Sequence, residues 1–162
     1  MVAPGQSGCG PDKQNRSHDA IEIGYDGFRY LPEVRLLNKR VFRERRIINR
    51  FDHDPLLFLT AHCNGQLAGF KIGYAVSRSI FYSAKSATDP QFRKRGVAMR
   101  LLEAMVEEIT RMGFRELRFD AFPAHHPGML VIGLRYGFRI RRLIWDDKMS
   151  DFRIQLSMNL SE

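Results

Sequence analysis

The chain has 162 residues, 26 Lys and Arg against 18 Asp and Glu, and 44% hydrophobic residues. A chain of this length buries about 70% of the surface its unfolded form exposes, so one core can stand without disulfide or metal staples. No run reaches the roughly 18 consecutive apolar residues of a spanning helix, and residues 1–19 lack the apolar stretch of a secretory signal. Cys9 and Cys63 sit in no CxxC or disulfide-like spacing, which places the expected compartment in the reducing cytoplasm, away from membranes. The net charge of +8 has acidic residues interleaved almost throughout, and no basic tail carries it. That pattern argues against a nucleic-acid-binding surface.

Residues 1–19 are small, polar and turn-forming, with Val2 and Ala3 as their only aliphatic residues. They read as a flexible arm ahead of a single domain over residues 20–162. Ile21 and Ile23 alternate with polar neighbours in a first strand that stops near Asp26-Gly27. Pro32 fits the first turn of a helix, and Val34, Leu37 and Val41 follow at helical spacing. A second, strongly basic helical piece is expected over residues 43–50. Leu56 opens an apolar strand to Cys63, Asn64-Gly65 is a hairpin turn, and residues 66–76 return. A third antiparallel strand, Ile80–Thr88, stops at Asp89-Pro90.

From Gly96 onward, Val97, Leu101, Leu102, Met105 and Ile109 define one face of a long helix that Gly113 closes. Leu117, Phe119 and Ala121 alternate through the next strand. Pro127 starts a shorter helix that Gly137 ends, and two final strands are expected over 138–144 and 152–160, separated by the polar turn at Asp146-Asp147-Lys148. The order is that of an α/β domain with a largely antiparallel first half and a central strand–helix–strand crossover.

The informative stretch is Thr88-Asp89-Pro90-Gln91-Phe92-Arg93-Lys94-Arg95-Gly96-Val97-Ala98: a strand end, a turn and a helix start. Backbone N–H groups and the dipole at a helix N-terminus favour phosphate oxygens. Gly96 and Ala98 leave the backbone approachable, and Arg93, Lys94 and Arg95 add cations at its rim. Neither GxxxxGK[ST] nor GxGxxG occurs, which excludes the nucleoside triphosphatase and Rossmann loops.

With Arg93-Lys94-Arg95-Gly96-Val97-Ala98 in the pattern Q/R-x-x-G-x-G/A between a fourth strand and a long amphipathic helix, the chain resembles the GNAT superfamily of acyl-CoA-dependent N-acetyltransferases. The resemblance runs from about Ile21 to Leu160 and includes Pro90 before the loop and Gly137-Phe138 after the last helix. It implies a mixed, mainly antiparallel sheet of about seven strands flanked by about four helices. It implies further that the fourth and fifth strands splay around the pantetheine arm of acetyl-CoA. The loop N–H groups would hold the pyrophosphate, and Ala87 and Thr88 would pair with pantetheine through their backbones. The acyl group would pass directly to a primary amine of a small molecule, peptide or protein, with a fourth-strand N–H polarising the carbonyl. A homodimer is compatible with this reading, and no metal is assigned.

One departure stands out. Where many members carry a tyrosine acid, four residues before the Gly of Gly-Phe, this chain has Gly133. His126 aligns roughly with the family's cofactor-contacting asparagine without matching it. The candidate proton-transfer residues are therefore Asp120 and His126. Asp120 could equally be paired with Arg118 or Arg115, and His125 and His126 could equally be capping or surface groups. Tyr82 and Ser83 could line the acceptor cleft or simply pack. Tyr136 lies three positions from Gly133, on another helix face, and is not a substitute. The Arg43-Glu44-Arg45-Arg46 run and Arg50 border the acceptor side by resemblance, either attracting an acidic substrate or forming a solvated face. Asp52-His53-Asp54 alternate in direction on an extended chain and do not converge on a metal. Loss of the usual acid leaves open a second function, a non-catalytic acyl-CoA-binding or sensing module.

Overall fold

The computed structural model describes residues 20–160; the expected arm over residues 1–19 lies outside them. The elements are β1 (Ile21–Gly24), α1 (Leu31–Phe42), β2 (Leu56–Cys63), β3 (Gln66–Ala75), β4 (Ile80–Thr88), α2 (Val97–Arg111), β5 (Glu116–Ala121), α3 (Pro127–Tyr136), β6 (Arg139–Asp146) and β7 (Asp151–Asn159). The strands form one seven-stranded sheet in the order β1-β2-β3-β4-β5-β7-β6. Every neighbouring pair is antiparallel except β4 and β5, which run parallel because α2 carries the chain back between them. No helix among the described residues is long and apolar enough to cross a membrane.

Local chemistry sets these boundaries. Asn64 and Gly65 both have positive φ, 50° and 78°, as the tight β2–β3 hairpin demands. Pro32 occupies the first turn of α1, whose end is fixed by Arg43 in the left-handed region, its N–H bonded to the Lys39 carbonyl at 2.9 Å. Gly137, at φ 113°, ends α3, with the Phe138 N–H on the Gly133 carbonyl at 2.9 Å.

The helical piece expected over residues 43–50 does not form, so among the described residues three α-helices flank the sheet. After the reversal at Arg43 the chain runs as bends. Asn38 Nδ2 on α1 donates to the carbonyls of Glu44 at 2.8 Å and Arg46 at 3.3 Å. A side-chain amide thus takes the place of helical N–H donors. Ile47 anchors the segment by burying itself against α1 and the sheet, while the arginines around it stay in water.

The sheet separates two cores. On one face α2 packs Val97, Leu101, Leu102, Met105 and Ile109 against Leu59, Phe81, Leu117, Phe119 and Leu156, with Met129, Leu130 and Ile132 of α3 against the same cluster. On the other face α1 packs Val34 and Leu37 against Phe58, Phe70, Ile72 and Ala87.

The feature that positions a site is the short β4–β5 junction. Pairing is confined to Ile80↔Glu116, Phe81↔Leu117 and Tyr82↔Arg118. Beyond it β4 continues on β3 as far as Thr88, and β5 continues on β7 as far as Ala121. Gly73 faces Ser83 while Ile72 faces Lys85, so Ala84 is an extra residue that bends β4 where the two strands part. The result is a wedge-shaped gap between two otherwise continuous half-sheets.

Candidate active site

The loop from β4 to α2 is held from three sides. Asp89, almost fully buried, accepts from the Gln91 N–H at 3.0 Å and from Arg40 Nη2 of α1 at 2.8 Å. Its own N–H is bonded to the Ala68 carbonyl of β3 at 2.8 Å. Phe92 is buried below the loop, and the Arg95 guanidinium lies over its ring, 5.4 Å from the centroid. The chain then turns through Lys94 at φ 61° and Gly96 at φ 86° into α2.

No side chain among the described residues caps α2. Its first helical bond runs from the Arg100 N–H to the Gly96 carbonyl at 3.0 Å, so the N–H groups of Gly96, Val97, Ala98 and Met99 precede the helical ladder. A Cβ built on Gly96 would meet no atom within 4 Å, and Arg93, Lys94, Arg95 and Gly96 are all exposed. A shallow depression of about 360 Å³ lined by Arg95, Gly96, Met99, Arg100 and Glu103 flanks the turn. Uncapped amides, a helix dipole and three cations around an open approach fit a pyrophosphate. The Val97 side chain is buried, so that residue contributes only its backbone.

Along β4 the direction of backbone bonding alternates. The Asp89 N–H points to β3. By the same alternation Ala87, opposite Phe70, turns its amide and carbonyl toward β3, while Ser86 and Thr88 turn theirs toward the gap. The side chain of Ala87 is buried against the α1 core. Of the two residues expected to pair with pantetheine, Thr88 presents its backbone groups to the gap and Ala87 presents its own to β3; Ser86 is the other residue on the gap edge. A residue count cannot detect this, because the Ala84 bulge and the long-range register set it.

Across the gap, Leu117, Phe119 and Ala121 of β5 face the α2 core, which leaves Arg118 and Asp120 on the α1 face. Asp120 Oδ2 accepts from the Tyr82 hydroxyl at 3.0 Å. Asp120 Oδ1 is buried without a hydrogen-bond partner among the described residues. Neither arginine named as an alternative partner bonds it; Arg118 grips Glu116 instead, at 2.6 and 3.0 Å. Burial first, then the adjacent Asp120 charge, pushes the Tyr82 hydroxyl far above its ordinary range, so it stays protonated as a donor. Tyr74 adjoins Tyr82, with ring centroids 5.8 Å apart, and His53 stacks on Tyr74 at 3.7 Å. Arg50 Nε donates to Asp52 at 2.8 Å in an exposed pair, and of Asp52-His53-Asp54 it is His53 that packs toward Tyr82, through Tyr74. Among the described residues no three His, Cys, Asp or Glu side chains gather into a metal-ligand group.

His126 is the residue before α3, its ring edge-on to Phe42 of α1 at 5.0 Å. Partial burial, then the charges of His125, Arg93 and Lys85, hold its pKa below the ordinary value. His126 thus stands neutral near neutral pH, beside Arg93 of the loop and Lys85 of β4. His125 turns away, its Nδ1 being 3.2 Å from Asp151 Oδ2. Gly133 is a packing glycine: a Cβ there would lie 2.5 Å from Phe119 Cζ. Phe119 fills the place a side chain at position 133 would take. Tyr136 packs with Phe138 and senses Glu103 of α2, on the far side from Asp120. In the basic segment Glu44 pairs with Lys85 of β4, tying that segment to the cleft edge.

A splayed parallel strand pair with an uncapped, cation-rimmed helix start at its mouth defines the class of acyl-CoA-dependent acetyltransferases. Residues 39–132 match the family model for the acetyltransferase (GNAT) domain, and the chain belongs to that family, whose fold uses acetyl-CoA. No curated protein matches it in sequence. Similar solved structures include Ard1 from Thermoplasma volcanium, 17% identical with a TM-score of 0.74 over 88% of this chain and 99% of that one. The ribosomal-protein-S18-alanine N-acetyltransferase from Escherichia coli is 17% identical, with a TM-score of 0.73 over 88% of this chain and 96% of its own. yncA from Salmonella typhimurium, solved with its cofactor acetyl-CoA, is 12% identical, with a TM-score of 0.72 over 89% and 96%.

Proposed function

We propose that the chain transfers the acetyl group of acetyl-CoA to a primary amine that enters from the α1 face, with Asp120 as the base. The observation that carries the reading is the partnerless, buried Oδ1 of Asp120 beside the gap. A buried carboxylate oxygen with no donor is costly, and an entering ammonium or amine N–H would satisfy it. Tyr82 fixes the other oxygen, so the free one is aimed by a hydrogen bond rather than by chance.

The N–H groups of residues 96–99, with Arg93, Lys94 and Arg95, would hold the pyrophosphate. Backbone groups of Ser86 and Thr88 would pair with the pantetheine amides, and an N–H at the Ala84 bulge would face the carbonyl oxygen. When bound, acetyl-CoA supplies an activated acyl group on a sulfur whose thiol pKa, about 8.5, lets it leave without a strong acid. Asp120 would take the proton of the incoming amine, and His126 would bound the arm at the α3 end. That division of labour is consistent with Gly133: packing against Phe119 leaves no room for the usual tyrosine, and the leaving group does not require one.

The test is Asp120→Asn. Coenzyme release with a panel of amines is expected to fall about 10²- to 10⁴-fold, the range of a lost general base, while calorimetric affinity for acetyl-CoA stays unchanged. Release that is absent from the wild type under every amine, with coenzyme affinity intact, would instead favour the non-catalytic acyl-CoA-binding module.

A further inference from the structure

The core under α1 covers only part of its face of the sheet. Its apolar cluster draws residues from β2, β3 and β4 and none from β5, β6 or β7. Beyond the gap the same face continues as a floor three strands wide, built from β5, β7 and β6, and β6 ends the sheet.

Register fixes what this floor displays. In β7, Ile154 and Leu156 are buried in the α2 core, which turns Arg153, Gln155 and Ser157 to the other face. Residues directly opposite each other on antiparallel strands share a face. Asp120 of β5 stands opposite Gln155, and Gln155 stands opposite Arg142 of β6. Asp120, Gln155 and Arg142 therefore form one row from the gap to the sheet edge. The neighbouring row is Arg118, Ser157 and Arg139.

The charges on these strands are satisfied unevenly. Glu116 accepts from Arg118 and Arg141, and Asp146 accepts from Arg153. Asp151 accepts from the Ala124 N–H and has His125 beside it. With Asp120, these are all the carboxylates of β5, β6 and β7. What remains unanswered is one carboxylate oxygen at the gap, Asp120 Oδ1, and two guanidiniums toward the edge. Arg139 and Arg142 are exposed, and their side chains make no hydrogen bond or ion pair among the described residues.

A ligand that answers both ends carries an amine at one end and carboxylates at the other. Asp120 and Arg142 are two strand spacings apart, about 9.5 Å. In a single amino acid the amine and the carboxylate share one carbon and cannot span that row. An extended chain, advancing about 3.3 Å per residue, covers it in about three residues. Nearly every residue of β6 is exposed, so a chain crossing the floor runs on over the edge.

We propose that the acceptor is an acidic peptide: its primary amine meets Asp120 Oδ1 at the gap while carboxylates a few residues along its chain pair with Arg142 and Arg139. The peptide lies across β5, β7 and β6. Its charges set its direction, and a basic peptide would bring its cations against unpaired arginines. The transfer itself is the one proposed above, on which this inference rests: the amine gives a proton to Asp120 as the C–N bond forms and the C–S bond breaks.

The experiment uses the full chain and two sets of short peptides, each peptide with a single primary amine, at the N-terminus in one set and on one lysine in the other. The second to fourth positions after the amine-bearing residue are Glu, Gln or Arg. Coenzyme release with acetyl-CoA gives kcat/KM. In at least one set the Glu peptides are expected to exceed the Gln peptides about three- to tenfold, the size that two partly exposed charge pairs supply. The Arg peptides should be slowest, and added salt should shrink the margin. In the double variant Arg139→Gln, Arg142→Gln the margin should fall below about twofold, whereas Lys at both positions should keep most of it. Calorimetric affinity for acetyl-CoA should be the same in all three proteins. No preference for Glu in either set, a preference that survives the double Gln variant, or release with small amines but with no peptide overturns this inference and leaves the proposed transfer standing. Failure of acetyl-CoA to bind, or of every amine to release coenzyme, removes the reading it rests on as well.

Discussion

Asp120, half-buried with one buried oxygen, and Lys71, 1% exposed in the middle of β3, are ionisable side chains on opposite faces of the same sheet, and the lysine has a distinct signature in solution. For Lys71 the sign follows from linkage. The unfolded chain keeps the lysine proton up to about 10.5, the folded chain only to about 8, so between those values the unfolded state binds more protons and stability rises with pH. Below about pH 8 the whole penalty is present, on the order of 3 kcal/mol from a shift of this size. Lys71→Met is therefore expected to be more stable than the wild type at pH 7 by up to about that amount, and the difference should shrink as pH rises toward 10.5. Urea unfolding of both proteins at several pH values measures it; a difference independent of pH would mean that the amine is not desolvated. Met fits this argument because it fills a similar volume without a charge.

At the scale of single elements, the turn into α2 depends on a backbone conformation and on one distant contact. Gly96 sits at φ 86°; a side chain there costs about 1 to 2 kcal/mol in the left-handed region and blocks the approach to the amides of residues 96–99. Gly96→Glu is expected to remove measurable acetyl-CoA binding in calorimetry while the chain remains folded by circular dichroism. Arg40→Ala removes the guanidinium that grips buried Asp89 across 49 residues of sequence. Affinity for the coenzyme should fall several-fold, because the turn loses its tie to α1. Gly133→Ala should cost about 1 to 3 kcal/mol of stability, as overpacking does, because Phe119 is itself wedged against Phe138, with centroids 4.9 Å apart. The glycine at 96 was legible as part of a pattern, since Arg93-Lys94-Arg95-Gly96-Val97-Ala98 has a local chemical meaning. The basic segment after Phe42 departs from its helical spacing because the Asn38 amide satisfies the carbonyls of Glu44 and Arg46 instead, a partner that local spacing does not reveal. Arg40, Ser86 and Lys71 carried no signal at all. Their importance comes from register and from partners far along the chain, and in the sequence each is an ordinary helix or strand residue.

For the whole molecule, the decisive fact is that β1 to β4 and β5 to β7 are joined in the sheet by only three residue pairs. Elsewhere the two halves are connected through α2 and the apolar cluster beneath it. Beyond Tyr82 the edge groups of β4 and those of β5 have no strand between them; on the proposed function, the arm of acetyl-CoA would lie there as the missing strand, bonded on both sides. Such a ligand binds the native state alone and stabilises it by mass action, about 2.7 kcal/mol at a concentration one hundred times its dissociation constant. The stabilisation should be local as well as global. Hydrogen exchange with acetyl-CoA present is expected to slow most at the amides of Ser86 and Thr88, those of residues 96–99 and the end of β5. Ala87, bonded toward β3, should change least within β4. Uniform slowing along β4, with Ala87 protected as much as its neighbours, would mean that the arm does not lie along that edge, and both the backbone alternation and the placement of the reacting carbonyl near Asp120 would have to be abandoned.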